Sequence, residues 1–501
     1  MSRSRPIPFL PFACIALWAL ACSSPGRSTD GSGGASGGST STGSGGQTQA
    51  GGSGAGGTSS SGAGGSRVSG SGGGAASGAG GTTLSGAGGT TLSGTGGTSP
   101  AGSGGAGPAT GGSAGKGGAG GSGGATAAVT IPGTGHCMAP AGASAADAQA
   151  AYMKWKTDLV TSDGANGGLR VKRPNSSGAE VNSTVSEGIG YAMLLAVYAN
   201  DQDAFDKFWK YEQQWLDSNG LMNWYINAAG TQVLGTGAAS DGDEDMAFAL
   251  VMADARWGGQ GSLSTTYIAA AKKLIDAIWQ HEVDHNRNNV LMAGDQFADG
   301  SVINISYFAP AYYRVFARVS GNSSWNQTVD TTYTIIAATL SSQNGNASNG
   351  LVPAWSTPAG VPMAPAGTSD PIYHQLDSCR TPFRIGEDFC WNAEPRALTY
   401  LQKISSFYAM VTVANMVDGY DLNGTPHAQF VTTGGPRAAS FVGGAGVGAM
   451  ATGTTYAQLR DDAYASVATL NDLAGSTYYQ ESWTALSLQM MTGLLRDLTA
   501  N

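Results

Sequence analysis

Charge is scarce in this 501-residue chain: 12% of residues are Asp, Glu, Lys or Arg, about half the roughly 25% of an ordinary globular protein. Between residues 31 and 130 it is almost absent, with no acid and only Arg67 and Lys116 as bases. Setting aside the five bases before residue 131 (Arg3, Arg5, Arg27, Arg67, Lys116) and Asp30 leaves 20 basic against 33 acidic residues, about −13. A basic face is therefore missing. That excludes a nucleic-acid binder, which must replace counterions on phosphate, and adsorption to anionic lipid through basic residues. A neutral polymer remains an acceptable partner. Long apolar runs are also missing. The longest, Ile7 to Ala21, is shorter than the about 20 residues of a membrane span and is broken by Pro8 and Pro11. No sustained Val/Ile alternation appears, which argues against a β-sandwich or a doubly wound sheet. Cysteines and histidines number five each, too few for an extensive metal-binding framework.

What is present divides the chain into three parts. Arg3 and Arg5 precede the apolar run, and Ala19-Leu20-Ala21 supplies small residues at a cleavage site, so residues 1–21 read as an export signal. Cys22-Ser23-Ser24 follows, similar to a bacterial lipoprotein box in which Cys22 is acylated as the first mature residue; ordinary cleavage before a free Cys22 is the alternative. Residues 22–130 hold more than half of the 79 glycines and an imperfect octad, SGAGGTTL at 77–84 and 85–92, then SGTGGTSP. Only Leu84 and Leu92 are large and apolar in these octads, so the tract buries too little to offset its ordering entropy. It reads as a flexible stalk holding an exported domain, residues 131–501, off a surface.

The pattern turns helical from Ala143. Apolar residues at i, i+3, i+4 spacing predict about twelve helices: 143–160, 184–199, 202–216, 242–257, 265–281, 306–319, 324–341, 382–391, 397–415, 435–449, 455–471 and 480–498. The fifth shows the spacing well, with Ile268, Ala271, Leu274, Ile275 and Ile278 on one face. The connections 218–240, 284–304 and 342–380 are long and rich in Gly, Asn, Asp and Pro, and loops of that length in a compact domain usually carry function. Twelve helices suit an all-α fold, an (α/α)6 barrel of six helix pairs; a helical solenoid has the same periodicity.

Three carboxylate groups stand out in so charge-poor a chain. Glu187 opens an apolar helix in Val181–Tyr191, flanked by Gly188 and Gly190, which would let a ligand approach closely. A capping box with Ser183 or Thr184 is the plainer reading. Asp241, Asp243, Glu244 and Asp245 crowd the start of the next helical pattern. A calcium loop is one reading, though no Glu stands at the twelfth position; N-capping by Ser240 or Asp241 is another. Asp377 has Arg380 and Arg384 nearby, either an ordinary ion pair or, with Phe383, Phe389 and Trp391 around it, a partly buried charge group.

Together these stretches resemble glycoside hydrolase family 8 over about residues 140–498. Ala239–Trp257 fits the family signature A-[ST]-D-[AG]-D-x-x-[IM]-A-x-[SA] and its continuation. Thr184–Tyr191 fits TVSEG-x-GY, and Asn219–Trp224 fits N-G-L-M-x-W. Residues 376–384 fit YDA-x-R-x-P-x-R with Leu376 for tyrosine and Ser378 for alanine. The resemblance implies an (α/α)6 barrel with an open cleft and an inverting glycosidase. Glu187 matches the general acid, Asp377 the general base, and Asp241 a carboxylate binding the sugar at the cleavage point. An inverting pair stands about 6.5–9.5 Å apart, with room for a water. Arg380 and Arg384 are substrate-binding candidates beside the base. Trp224 and Tyr307, on loops leading into helices, are candidate sugar platforms, because an aromatic face stacks on a pyranose.

Cys137, Cys379 and Cys390 remain in an oxidising setting. Cys379–Cys390 is the expected disulfide, with pairing to Cys137 the alternative. His281-Glu282-Val283-Asp284-His285 spells H-E-x-x-H, a zinc-protease pattern, but it falls where the fifth helix ends and no third ligand follows nearby. The expectation is thus an exported, monomeric endo-β-1,4-glucanase acting on polysaccharide without metal or cofactor, anchored through Cys22 or secreted. A chitosanase, xylanase or mixed-linkage glucanase, or a non-catalytic surface glycan-binding protein, is the rival reading.

Overall fold

The computed structural model describes residues 135–174, 181–368, 370, 372–427, 439–470 and 478–500. The export signal, Cys22 and the stalk lie outside them. Among the described residues are twelve α-helices: α1 (Ala145–Leu159), α2 (Ser186–Tyr198), α3 (Gln202–Glu212), α4 (Ser240–Trp257), α5 (Tyr267–His281), α6 (Pro310–Ser320), α7 (Trp325–Thr339), α8 (Thr381–Asn392), α9 (Pro395–Val411), α10 (Ala439–Met450), α11 (Ala457–Leu470) and α12 (Tyr478–Met491). All twelve expected helices are present, most within a few residues of their expected ends.

The even-numbered helices form a closed inner ring: α2 packs on α4, α4 on α6, α6 on α8, α8 on α10, α10 on α12, and α12 back on α2. Odd-numbered helices lie outside them, as in α4 on α5 and α10 on α11. This is the (α/α)6 barrel. The sequence shows why the ring is inside. Every side chain of α10, ASFVGGAGVGAM, is buried, as is every residue of α2 except Glu187, and a helix apolar all round must be covered all round. By contrast α3 and α5 are one-sided, with Lys207, Lys210, Lys272 and Asp276 away from their buried faces.

The long connections all run from an outer helix into the start of an inner one. Residues 213–239 enter α4, 282–309 enter α6, and 340–380 enter α8, whereas 199–201, 321–324 and 393–394 at the other end are brief. The long loops carry small antiparallel sheets: β3 (Thr184–Val185) with β4 (Tyr225–Ile226) and β5 (Val233–Gly235), β6 (Val283–Asp284) with β7 (Val290–Leu291), and β8 (Ile303–Asn304) with β9 (Trp355–Ser356). A further pair, β1 (Val160–Thr161) with β2 (Arg170–Val171), follows α1. The barrel therefore has an elaborated end, at the N-termini of its inner helices, and a plain end.

One expectation is corrected here. The structure pairs Cys137 with Cys390, Cα–Cα 4.9 Å, and leaves Cys379 a buried thiol. Cys379 and Cys390 sit eleven residues apart on a continuous helical path into α8, a rise of about 16 Å, far beyond the roughly 7 Å a disulfide can bridge. The H-E-x-x-H residues do not share a helical face either, because α5 stops at His281 and Val283–Asp284 turns into β6.

Candidate active site

Five of the six inner helices deliver a side chain to one point on the elaborated end. Glu187 and Asp241 lie in the first turns of α2 and α4; Tyr478 opens α12; Ser306 and Tyr307 lie just before α6; Asp377 and Arg380 lie just before α8. Helix N-termini carry partial positive charge, which favours carboxylates placed there.

Arg380 is the hub. Its Nη1 lies 2.8 Å from Glu187 Oε2 and 2.8 Å from Asp241 Oδ2, and its Nη2 lies 3.4 Å from Asp377 Oδ1. Nε and Nη2 also donate to Ser306 Oγ at 3.2 and 2.8 Å, and the Tyr307 ring faces the guanidinium at 5.1 Å. The arginine side chain is 1% exposed, whereas Glu187 and Asp377 are 12% and 20% exposed. The cation is thus the floor, and Glu187 and Asp377 are the groups that open to solvent. Asp377 is held on its other oxygen by Gln375 Nε2 at 2.9 Å. Ser378, one of two departures from the family pattern, accepts the Gln375 N–H at 3.0 Å and so braces the same turn.

Three carboxyls share one guanidinium, so they cannot all be charged without repulsion. Burial, with the Glu187 carboxylate adding to it, pushes Asp241 up to about 7 although Arg380 opposes the shift. The Glu187–Asp241 pair, bridged by one guanidinium nitrogen, therefore keeps a proton to near neutral pH. The phenols of Tyr191, Tyr307 and Tyr478 are pushed up by burial and by these acids, so they remain protonated donors.

The four acids of α4 do not converge, because successive residues point about 100° apart. Asp241 faces Arg380; Asp243 Oδ1 is 3.5 Å from the Met222 N–H; Glu244 accepts from Tyr313 Oη at 3.4 Å; Asp245 pairs with Arg384 at 2.7 Å. They form neither a calcium loop nor an N-cap. The cap position is Ala239, without a side-chain bond, and Ser240 donates to the Met292 carbonyl. Nor does Glu187 sit in a capping box, since the cap position of α2 is Val185. Arg384 is corrected as a substrate contact. It lies one turn deeper than Arg380, buried between Asp245 and Tyr312. Gly188 and Gly190 are corrected as openings for a ligand. A Cβ on Gly188 would stand 3.1 Å from the Tyr478 ring, and one on Gly190 2.8 Å from Asp245 Cβ. They let α2 press against α12 and α4.

Trp224 stands beside Glu187 in the chain fold, since its carbonyl accepts the N–H of the preceding residue, Ser186, at 3.0 Å. Its indole stacks on Tyr225 at 5.0 Å, and 8% of the residue is exposed. Tyr307 joins the site through Arg380. Tyr191, Ser306, Tyr478 and Tyr479 were not singled out in the sequence; only the packing of five helix starts brings them to the carboxylates.

With this geometry in hand, the comparisons with known proteins are informative. Residues 133–493 match the family model described as Glycosyl hydrolases family 8. Endoglucanase A of Acetivibrio thermocellus is 35% identical over 349 residues, 69% of each chain. Endoglucanase C of Ruminiclostridium cellulolyticum is 36% identical over 351 residues, 69% of this chain and 71% of that protein. Among solved structures, a beta-1,3-1,4-glucanase from Paenibacillus sp. X4 superposes with TM-score 0.63 at 28% identity, covering 71% of this chain and 95% of the other.

Proposed function

Because the chain belongs to glycosyl hydrolase family 8 and is a glycosidase, we propose that it is an exported, endo-acting β-1,4-glucanase working by inversion. The observation that carries the mechanism is the Arg380 hub, which holds Glu187 and Asp377 on different nitrogens, apart from each other and both open to solvent. Glu187 donates a proton to the leaving glycosidic oxygen. Asp377 takes one from a water attacking the anomeric carbon on the opposite face. Asp241, on the same guanidinium nitrogen as Glu187, binds the sugar whose bond breaks. Inversion requires the acid and the base about 6.5–9.5 Å apart with room for a water, against roughly 5–5.5 Å for a covalent route. Tyr307 and Trp224 supply aromatic faces for neighbouring sugars.

Relatives named endoglucanases support a β-glucan substrate. Reducing-sugar release from carboxymethyl-cellulose, lichenan, chitosan and xylan tests that choice; dominant release from chitosan or xylan overturns it. Proton NMR of the first products reads the anomer, and retention overturns inversion. Export and a lipid anchor rest on residues 1–24. Cys22→Ala should move the protein from the membrane to the soluble fraction, and unchanged retention would refute the anchor.

A further inference from the structure

The first two residues of α12 reach the acid side and the base side of the site at once. Tyr478 Oη donates to Glu187 Oε1 at 2.6 Å, on the carboxyl oxygen that Arg380 does not hold. Tyr479 Oη donates to the carbonyl of Leu376 at 2.7 Å, the residue immediately before Asp377. Neighbouring helical positions point about 100° apart, so one helix start can face α2 with one ring and the approach to α8 with the next. Both rings are nearly buried, and buried phenols keep their positions through their hydrogen bonds.

Their packing makes the start of α12 a rigid block. Trp483, one turn on, meets Tyr191 at 5.6 Å, Tyr479 at 6.2 Å and Phe383 at 5.2 Å, tying α12 to both α2 and α8. The Tyr478 ring is stacked against Tyr191, covered by the Arg173 guanidinium at 5.9 Å, and pressed on the bare Cα of Gly188. A side chain at 188 would displace that ring, which gives the glycine after the acid a physical purpose.

The geometry points to Tyr478 and Tyr479 as a pair of positioning residues that fix the acid and the base relative to each other. The inference rests on the proposed roles of Glu187 and Asp377. The two halves act differently. The Tyr478 hydroxyl points at a carboxylate oxygen, so it stabilises Glu187 most after its proton has gone to the leaving group. That is stabilisation gained as the transition state forms. The Tyr479 hydroxyl donates to the Leu376 carbonyl and so affects the step in which Asp377 aims a water. The charged and titratable groups facing Glu187 are Arg380 from the approach to α8, Asp241 from α4, Tyr191 from α2, Tyr478 from α12, and Asp377 across the guanidinium, with Arg173 behind Tyr478.

Phenylalanine at each position keeps the ring and removes the hydroxyl, and two substrates separate the roles. Tyr478→Phe should lower kcat on β-glucan by about 10–100-fold, the scale of one hydrogen bond to a charged group. It should lose far less on a dinitrophenyl cello-oligoside, whose leaving group needs little protonation. Without the donor the carboxylate is less stable, so the alkaline limb of kcat/KM should move to higher pH. Tyr479→Phe should lower kcat by a similar factor on both substrates and leave that limb in place. Melting temperatures report whether either variant is misfolded, and Glu187→Gln runs in the same series. Normal turnover in Glu187→Gln would overturn the acid assignment itself. Loss in Glu187→Gln, with Tyr478→Phe showing equal loss on both substrates and an unmoved alkaline limb, would overturn the positioning role alone. Wild-type turnover in Tyr479→Phe would overturn its half of the pair.

Discussion

At the scale of single residues the reaction centre is a problem of shared protons. Asp241 is held up near 7 by burial and by the carboxylate of Glu187, so its negative charge appears only as pH rises past neutral. Asp241→Asn removes that negative charge while keeping the shape. An inflection near 7 in the pH dependence of kcat/KM should then disappear. KM should also rise, because the residue is assigned to the sugar at the cleavage point. A pH–rate profile checks this; an inflection near 7 that survives the substitution would contradict the assignment to Asp241. Glu187→Gln should cost kcat the ~10²–10⁴-fold typical of general-acid loss. The three carboxylates and Arg380 stood out because charge is so rare in the sequence, and the resemblance of the stretches around them to family motifs gave them roles. Arg384 misled for the same reason. One helical turn separates it from Arg380, and sequence spacing does not show which turn faces solvent. Tyr478 and Tyr479 carried no such signal, since buried tyrosines are common and their partners lie nearly 300 and about 100 residues away.

At the scale of elements the one-sided helices such as α3 and α5 were legible because each keeps a 3.6-residue pattern for ten or more residues, and α2 and α10 because their apolar stretches run longer than a strand. The strands were not, because most are two residues long and alternation needs four or more to show. Yet these short pairs place function: β3–β4 sets Trp224 beside the start of α2, and β8–β9 leads into Ser306 and Tyr307. Close helix contact is the other device at this scale. A Cβ on Gly242 would meet the backbone of Ser186 and Glu187 at 2.8 and 2.9 Å. Gly242→Ala should therefore push α4 from α2, lower stability by about 1–3 kcal/mol, and reduce kcat by shifting Glu187, as thermal melts and turnover would show. Glu212 tests burial at a helix end. It closes α3 fully buried, with Oε2 bonded to Gln213 at 2.6 Å, and burial pushes it up to about 8; a helix C-terminus also disfavours negative charge. With the folded value above the ordinary 4.5, its stabilisation is complete below that pH and is lost as pH rises toward 8. Glu212→Gln should leave stability unchanged near pH 4 and raise it near pH 8, by up to a few kcal/mol, which melts at the two pH values would show. Parallel pH dependence in variant and wild type would refute the assignment.

At the scale of the whole molecule the two barrel ends divide the work. The first described residues dock at the plain end, where the His136 N–H donates to the Cys390 carbonyl, the Met138 N–H to the Met450 carbonyl, and Cys137 is bonded to Cys390. Cys390 and Met450 lie at the C-terminal ends of α8 and α10, whereas Glu187, Asp241, Asp377 and Arg380 gather at the N-terminal ends of their helices. The chain thus enters the barrel at the end away from the reaction centre, and the disulfide pins that entry across 253 residues of sequence. The sequence listed the right cysteines but favoured the nearer pair, because nearness along a helix is distance in space. Closing so long a loop restricts the unfolded chain more than the folded one, so Cys390→Ser should lower stability by roughly 2–5 kcal/mol. Because the bond lies at the plain end, kcat and KM well below the melting temperature should stay within about twofold of wild type, and deleting residues 30–130 should likewise leave turnover of a soluble glucan within about twofold. Denaturant melts with steady-state kinetics on each variant decide it. A loss of turnover in Cys390→Ser at full folding would show that the two ends are coupled through α8, the helix whose last turn carries Cys390 and whose first turn follows Arg380.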